Sequence, residues 1–471
     1  MPQYSMTPSE PLMSHVSPGS DQPPEPSSLA QRYAATLLGS LPVHAVLADA
    51  RVEHCAAAAA MDWAESGLMW LCGRPGEAPL RASHALPSCA NGALLALRQL
   101  RDYCDGEPNM GADLLTERSG LLGMSRRGSV SAGGACEMFQ VADGYLAVSL
   151  PRDDDWALLP AWLAINEPVA SRPHLASLLL SRSGADLESR GRGLGLAVAL
   201  VAAVTPPASW YRLRDARQVS CRRRRPLVVD LSALWAGPLC SHLLQLGGAR
   251  VIRVESRHRP DPGRQQSAAF FNLLNAGKEN CLLDLQCLFG RQQLEALLCS
   301  ADIVIEGSRP RALAQMGIDA QRCINQRQGL LWLSISGHGL SEPQCEWVAF
   351  GDDASVAGGL SVSTAHGPVF CGDAVADPLT GLHAALAVTA LWQNGWGGRL
   401  DINLRTVAAF SSGFYRSPSV GLTRLEEGRW RLECAGIQAP VCAPRVRMPA
   451  AKARSLGADT DALSAEFAAV C

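Results

Sequence analysis

"PLVVDLSALWAGPLCSHLLQLGGARVIRVES" (residues 226–256) decides how the chain is read. "PLVVDLS" is a short apolar run, the pattern of a parallel strand covered on both faces. "AGPLCSHLLQLGG" then reads as a helix, with Pro238 suited to its first turn and Gly247-Gly248 to its end. "ARVIRVES" is a second strand. The same texture continues in "ADIVIEGS" (301–308) and "LLWLSISGHG" (330–339), with helical segments between. This alternation predicts an α/β fold: a doubly wound, mostly parallel sheet in a large domain. Ligands of such sheets bind beyond the carboxyl ends of the strands. That places Leu234–Gly237, Glu255–Arg257, Gly307–Arg309 and Gly337–Gly339 near a site.

The sequence before residue 226 reads differently. Residues 1–28 are rich in Pro, Ser and Glu and predict a disordered tail. They lack the basic and apolar regions of a signal peptide. Residues 29–142 read as mostly helical, as in "ANGALLALRQLRDYC". Asp143-Gly144 supplies a turn, "YLAVSL" a strand, and a helix follows to residue 164. Helical, Arg-dotted sequence runs on to about Tyr211, and "CRRRR" (221–225) reads as a solvated boundary.

The totals set limits. A chain of 471 residues implies two or three domains, and 47% hydrophobic residues suffice for a sizeable core. A net charge of −2 carries no nucleic-acid footprint, and no apolar run has the length of a membrane span. The 16 cysteines form no C-x-x-C pair and no zinc spacing. They read as small buried hydrophobes in a reducing cytoplasm, with no metal site.

"GDAVADPLTG" (372–381) holds two carboxylates in a small, apolar stretch that runs into the helical "LHAALAVTALW". Asp377 reads locally either as a helix cap or as a nucleophile. Asp373 reads as a loop residue, and His383 as packed within the helix. Lys278 reads as a phosphate contact or a surface lysine, and Trp235 as a ligand wall or plain packing. Residues 65–97 also faintly repeat in 357–386. Gly67-Leu68 matches Gly359-Leu360, Pro79 matches Pro368, and Gly92 matches Gly381. Four residues before each later glycine stand Ser88 and Asp377, so the first copy lacks the carboxylate.

"VVDLSALWAGPLCSHLLQLGGARVIRVES", "NAGKENCLLDL", "ADIVIEGSRPRALAQMG", "LSISGHG" and "DPLTGLHAALAVTAL" come in the order and spacing of class III CoA-transferases. The chain resembles this group of formyl-CoA transferase, carnitine CoA-transferase and α-methylacyl-CoA racemase. The resemblance implies a large domain over 226–415, a smaller α+β domain, and an interlocked homodimer. "DGYLAVSLPRDDDWALLPAWL" resembles the family's small domain, so 143–225 is expected to be a small-domain-like segment and linker. Residues 29–142 are then a degenerate partial repeat, and 416–471 resemble the family's C-terminal tail.

By the same resemblance, coenzyme A enters as acyl-CoA substrate, an acyl-CoA is the donor, and a carboxylic acid is the acceptor. The catalytic position falls on Asp377. The CoA-contacting positions fall on Leu234, Trp235, Ala236, Ser256, Arg257, Leu283, Gly307, Ser308 and Arg309. Ser256 and Gln315 stand where relatives often carry arginine. Racemases of the group pair their aspartate with a histidine in a "G-H-D" stretch, and the corresponding stretch "FGDDASVAGG" has Asp352 at that position. Transfer therefore ranks above racemisation, and a non-catalytic acyl-CoA-binding homologue is the third reading.

Overall fold

The computed structural model describes residues 27–43, 55–101, 105–220, 223, 225–308, 310–417, 421–434, 436–449 and 451–467. The expected disordered tail lies almost wholly outside the described residues, as does Arg309. The strands, in chain order, are β1 (Cys136–Val141), β2 (Gly144–Ser149), β3 (Ala197–Leu200), β4 (Arg212–Gln218), β5 (Leu227–Asp230), β6 (Arg250–Ser256), β7 (Glu279–Leu283), β8 (Ile303–Glu306) and β9 (Leu331–Ser336). They continue with β10 (Ser361–Thr364), β11 (Gly367–Phe370), β12 (Trp396–Asn403), β13 (Leu422–Glu426), β14 (Arg429–Cys434) and β15 (Ile437–Pro440). Eight helices carry the argument: α1 (Ser28–Gly39), α2 (Cys55–Glu65), α3 (Leu86–Leu100), α4 (Glu117–Leu121), α5 (Ala236–Leu246), α6 (Gly351–Ala357), α7 (Ala376–Gln393) and α8 (Leu404–Phe414).

Seven strands form one sheet in the order β4-β12-β9-β8-β5-β6-β7. All neighbours pair in parallel except β4, which runs antiparallel to β12 at the edge. The chain leaves β5 toward β6 and β7, then returns to β8 on the other side. The carboxyl ends of β5 and β8 therefore flank the switch point where such sheets open a crevice. Alternation along β5 explains the two layers. Val228 joins the core shared with α3, α5 and α7, while Leu227 and Val229 join the core on the opposite face. α7 buries residues on every side, from Pro378 to Trp392, as a central core helix does.

The N-terminal helices belong to the same core as α5 and α7. At Gly92 a side chain would collide with the Ala30 carbonyl and with Tyr33; at Gly381 it would collide with the Ala236 carbonyl and with Leu239. Each glycine thus lets its helix rest on a residue and the one three positions further along a neighbouring helix. Ala there would force two backbones apart.

Three regions depart from the sequence reading. β3 interrupts the expected helical run, pairing with β2 so that Val198 joins a separate core around Trp162. β4 falls where a linker was expected. Its "RLRDARQ" is polar because it is an edge strand with mostly exposed side chains, a common protection for an open edge. Residues 422–440, expected as part of a tail, form the antiparallel sheet β13-β14-β15 and send Leu432, Cys434 and Ala439 into the main core. No helix of the described residues is long and apolar enough to cross a membrane.

Candidate functional site

The six residues before the third position of α7 are pinned from four directions. Gly372 (φ 117°) and Ala374 (φ 46°) take left-handed backbone, which is costly for an alanine. The Asp352 carboxylate accepts a hydrogen bond from the Ala374 N–H at 2.7 Å. Ser355 Oγ accepts from the Ala376 N–H at 3.1 Å. Asp373 is held by Arg118 in a two-pronged pair, Nε to Oδ2 at 2.7 Å and Nη2 to Oδ1 at 2.6 Å. The Asp377 carboxylate accepts from the Gly351 N–H, where α6 begins.

Asp377 is not the helix cap. Val375 occupies that position and makes no side-chain cap, and Asp377 is the second residue of α7. Its carboxylate therefore lies beside the first turns of both α6 and α7, where unpaired N–H groups favour negative charge. Asp377 keeps a partly exposed edge between fully buried neighbours Ala376 and Pro378. Gly351 is required at its position, because a Cβ would meet Asp377 Oδ2 and the Ala374 carbonyl.

Three carboxyl groups of this cluster are harder to ionise than usual. Burial, opposed by the Arg118 charge and reinforced by Asp352 and Asp373, raises Asp377 to about 7. Burial and the neighbouring Asp373 raise Asp352 to about 6. Burial raises Asp353 to about 7; one of its oxygens accepts from Phe350 N–H and Ser149 Oγ–H, and the other has no partner. Arg118 behaves oppositely. Burial works against its charge, but Asp373, Asp352 and Asp377 more than restore it.

Arg118 comes from α4, in the N-terminal part of the chain. α4 is anchored by Arg447, whose guanidinium pairs with Glu117 at 2.5 Å and 2.9 Å. Gly133 lies against the Arg118–Asp373 pair, with no room for a side chain. The Arg118 guanidinium also sits 4.8 Å from the centre of the Trp235 ring. It thus bridges the turn before α7 and the loop after β5. Local sequence does not mark Arg118: "TERSGLLG" reads as an ordinary helix, and its partner lies 255 residues downstream.

The positions expected to contact CoA lie along the carboxyl edge of four adjacent strands, β8, β5, β6 and β7. Leu234 is 42% exposed and left-handed (φ 66°), and its N–H donates to Asp261 Oδ2 at 3.1 Å. Asp261 is itself paired with buried Arg253. Trp235 is buried edge-on against Phe270 at 5.0 Å, and Ala236 starts α5. Ser256 ends β6, and the Arg257 N–H donates to the Leu283 carbonyl at 2.9 Å. Leu283 is a correction to the sequence reading: its side chain is 1% exposed within the core under β7 and packs rather than facing a ligand. Gly307 and Ser308 follow β8, the Ser308 N–H donating to Glu306 at 3.0 Å.

Lys278 fits neither of its expected roles. It is buried, and Nζ donates to the Pro238 carbonyl (2.8 Å), Ser241 Oγ (2.7 Å) and Asn275 Oδ1 (3.1 Å), with Asp230 3.5 Å away. Despite burial, Lys278, Arg253 and two serine hydroxyls hold Asp230 below the usual carboxylate range. The lysine therefore ties the start of α5 to β5 beneath the Trp235 loop. Lys278→Met leaves Asp230 buried with one partner fewer and is expected to cost about 3–5 kcal/mol in urea unfolding. His383 is packed, as its sequence position suggests: Nδ1–H donates to the Leu379 carbonyl at 2.7 Å, and Nε2 accepts from Tyr33 Oη at 2.9 Å.

The model of CoA-transferase family III matches residues 226–415. Succinyl-CoA–D-citramalate CoA-transferase of Chloroflexus aurantiacus is 30% identical over 203 residues, covering 39% of this chain and 50% of the relative. Formyl-CoA:oxalate CoA-transferase of Rhodopseudomonas palustris is 31% identical over 197 residues, covering 40% and 45%. A crystal structure of a CaiB/BaiF family protein from Brucella suis matches with 29% identity and a TM-score of 0.37, covering 39% of this chain and 53% of that one. The chain thus spans about half the length of the curated relatives it matches. Over residues 226–415, the chain is therefore similar to CoA-transferase family III.

Proposed function

We propose that the protein transfers CoA from an acyl-CoA thioester to a carboxylic acid, with Asp377 as the nucleophile. The observation that carries this is a half-buried aspartate whose carboxylate is fixed between two helix starts, in an otherwise buried turn, beside the carboxyl edge of a doubly wound sheet. Asp377 attacks the thioester carbonyl carbon, the C–S bond breaks, and CoA leaves as thiolate, giving a mixed anhydride. The thiolate then attacks the Asp377 carboxyl carbon. The anhydride C–O bond breaks, the donor acid leaves as carboxylate, and an aspartyl-CoA thioester remains. An acceptor carboxylate runs the two steps in reverse. Burial serves this chemistry by excluding the water that would hydrolyse the anhydride.

Leu234, Trp235, Ala236, Ser256, Gly307 and Ser308 are proposed to line the CoA path, with Arg257 at its outer end. Arg309 keeps that role as an expectation from the resemblance. Residues 29–142 are proposed to be a degenerate repeat, supported by the matching contacts at Gly92 and Gly381. The homodimer implied by the resemblance belongs to the same proposal, but here the wall facing Asp373 comes from residues 118–133 of the same chain.

A panel of acyl-CoA donors and carboxylate acceptors, followed by chromatography of the CoA esters, tests this reading. Product that requires both partners supports it; donor hydrolysis alone contradicts it. Attack needs the ionised form of Asp377, so the first-step rate should rise about tenfold per pH unit below about 7 and level off above it. Stopped-flow thiolate release over pH 5.5–8.5 checks the profile, and a flat line contradicts it.

One observation favours a second reading, exchange of the proton beside the thioester. Asp352 adjoins Gly351, which binds Asp377, and its raised pKa makes it a second candidate for proton transfer. Deuterium uptake from solvent into an acyl-CoA without acceptor supports that reading, and loss of uptake in Asp352→Asn assigns the group.

A further inference from the structure

We infer that Arg118 holds the carboxylate of the acceptor acid during the second half of the transfer, an inference that rests on the CoA-transfer reading above. The difficulty it resolves is electrostatic. The acceptor is an anion, yet it must approach a cluster formed by Asp352, Asp353, Asp373 and Asp377. Arg118 is the cation whose charge reaches both Asp352 and Asp377. Its Nε and Nη2 are taken by the two oxygens of Asp373, and Nη1 is not part of that fork. The side chain keeps 27% of its surface exposed, whereas the Asp373 side chain keeps none.

The guanidinium is also oriented for this role. Asp373 fixes its plane, and the Trp235 ring lies 4.8 Å from it on the side of the loop after β5. A thioester that follows that loop to Asp377 passes Arg118, and an acid that replaces the departing group meets it first. One arm of a pre-oriented fork can accept a carboxylate oxygen while the other two arms keep the turn before α7 in place. The acceptor oxygen that Nη1 does not bind then attacks the aspartyl-CoA carbonyl carbon, and CoA thiolate leaves as before.

An ordinary structural role would be to neutralise Asp373 and nothing more. Four proteins separate the two: wild type, Arg118→Met, Asp373→Asn, and the double variant. Two rates are read for each, formation of the Asp377–CoA adduct with donor alone, and its discharge by acceptor. The double variant removes both charges of the pair, so a purely structural arginine predicts discharge at the rate of Asp373→Asn alone. The inference predicts that the double variant discharges about 100-fold more slowly than Asp373→Asn, while adduct formation stays within about tenfold. Equal discharge rates overturn it. If Arg118→Met fails to fold, Arg118→Lys decides: one ammonium cannot serve both Asp373 and the acceptor, so the acceptor KM should rise at least about tenfold with an unchanged melting curve. An unchanged KM overturns the inference. Absence of any adduct in the wild type would instead overturn the transfer reading itself.

Discussion

Asp377→Asn is expected to abolish transfer, with a loss of at least about 1000-fold, and at the same time to make the protein more stable at pH 8. Both follow from the same placement. The amide keeps the shape and can still accept from the Gly351 N–H, so the turn before α7 survives, but it has no anionic oxygen to attack a thioester. The stability gain follows from the sign of the shift. The folded-state pKa of Asp377, about 7, lies above the ordinary aspartate value of 3.8, so the folded protein binds the extra proton between those values. Stability from this group is fully present below about pH 4 and is lost as pH rises through about 7. Removing the charge should therefore raise the midpoint of thermal unfolding at pH 8 and leave it nearly unchanged at pH 4. Calorimetry at both values, beside activity, checks the pairing. A variant that is inactive but destabilised at pH 8 would mean that Asp377 mainly supports structure.

Gly351→Ala should be nearly as damaging by a different route. The added methyl meets the Ala374 carbonyl and Asp377 Oδ2, neither of which can give way freely. Ala374 is already left-handed and tied to Asp352, and Ala376 is tied to Ser355. The expected cost is about 1–3 kcal/mol of stability and about 100-fold or more in rate, since a shift near 1 Å at the nucleophile removes the attack geometry. Rates that fall only in proportion to the unfolded fraction would contradict it. Gly358, at the other end of α6, offers a comparison, because a side chain there would strike α8 and not the carboxylate.

Much of this was legible in the sequence, and the pattern of failure is physical. The parallel strands were readable because buried strands are short, apolar and separated by helix signals, as in "PLVVDLS" and "ADIVIEGS". β4 was not, because an edge strand built of arginines carries no apolar period. The order of motifs singles out Asp377, while the cap that local sequence also offers falls to Val375, two residues before it. Lys278 was misread because a buried lysine needs several partners. Those partners, Asp230, Pro238, Ser241 and Asn275, come from the end of β5, the first turns of α5 and the end of the helix over 268–275, brought together only by folding. Arg118 was invisible for the same reason: its meaning is the 2.6–2.7 Å pair with Asp373 across the two halves of the chain.

The faint repeat also gains physical content. Ser88 stands where Asp377 stands in the other copy, and it donates to the buried Asp62, a carboxyl that burial raises to about 6. If residues 29–142 are the proposed repeat, its position equivalent to Asp377 carries a hydroxyl turned into an internal network of Asp62 with Ser27 and Asn91. What it supplies to the other copy is Arg118.

The most direct measurement is intact-mass spectrometry after incubation with a panel of acyl-CoA donors and no acceptor, followed by peptide mapping. The account predicts a CoA-sized adduct on the peptide that contains Asp377, removed by hydroxylamine and absent from Asp377→Asn. CoA binding without an adduct from any donor that is turned over, or an adduct on another residue, would contradict it.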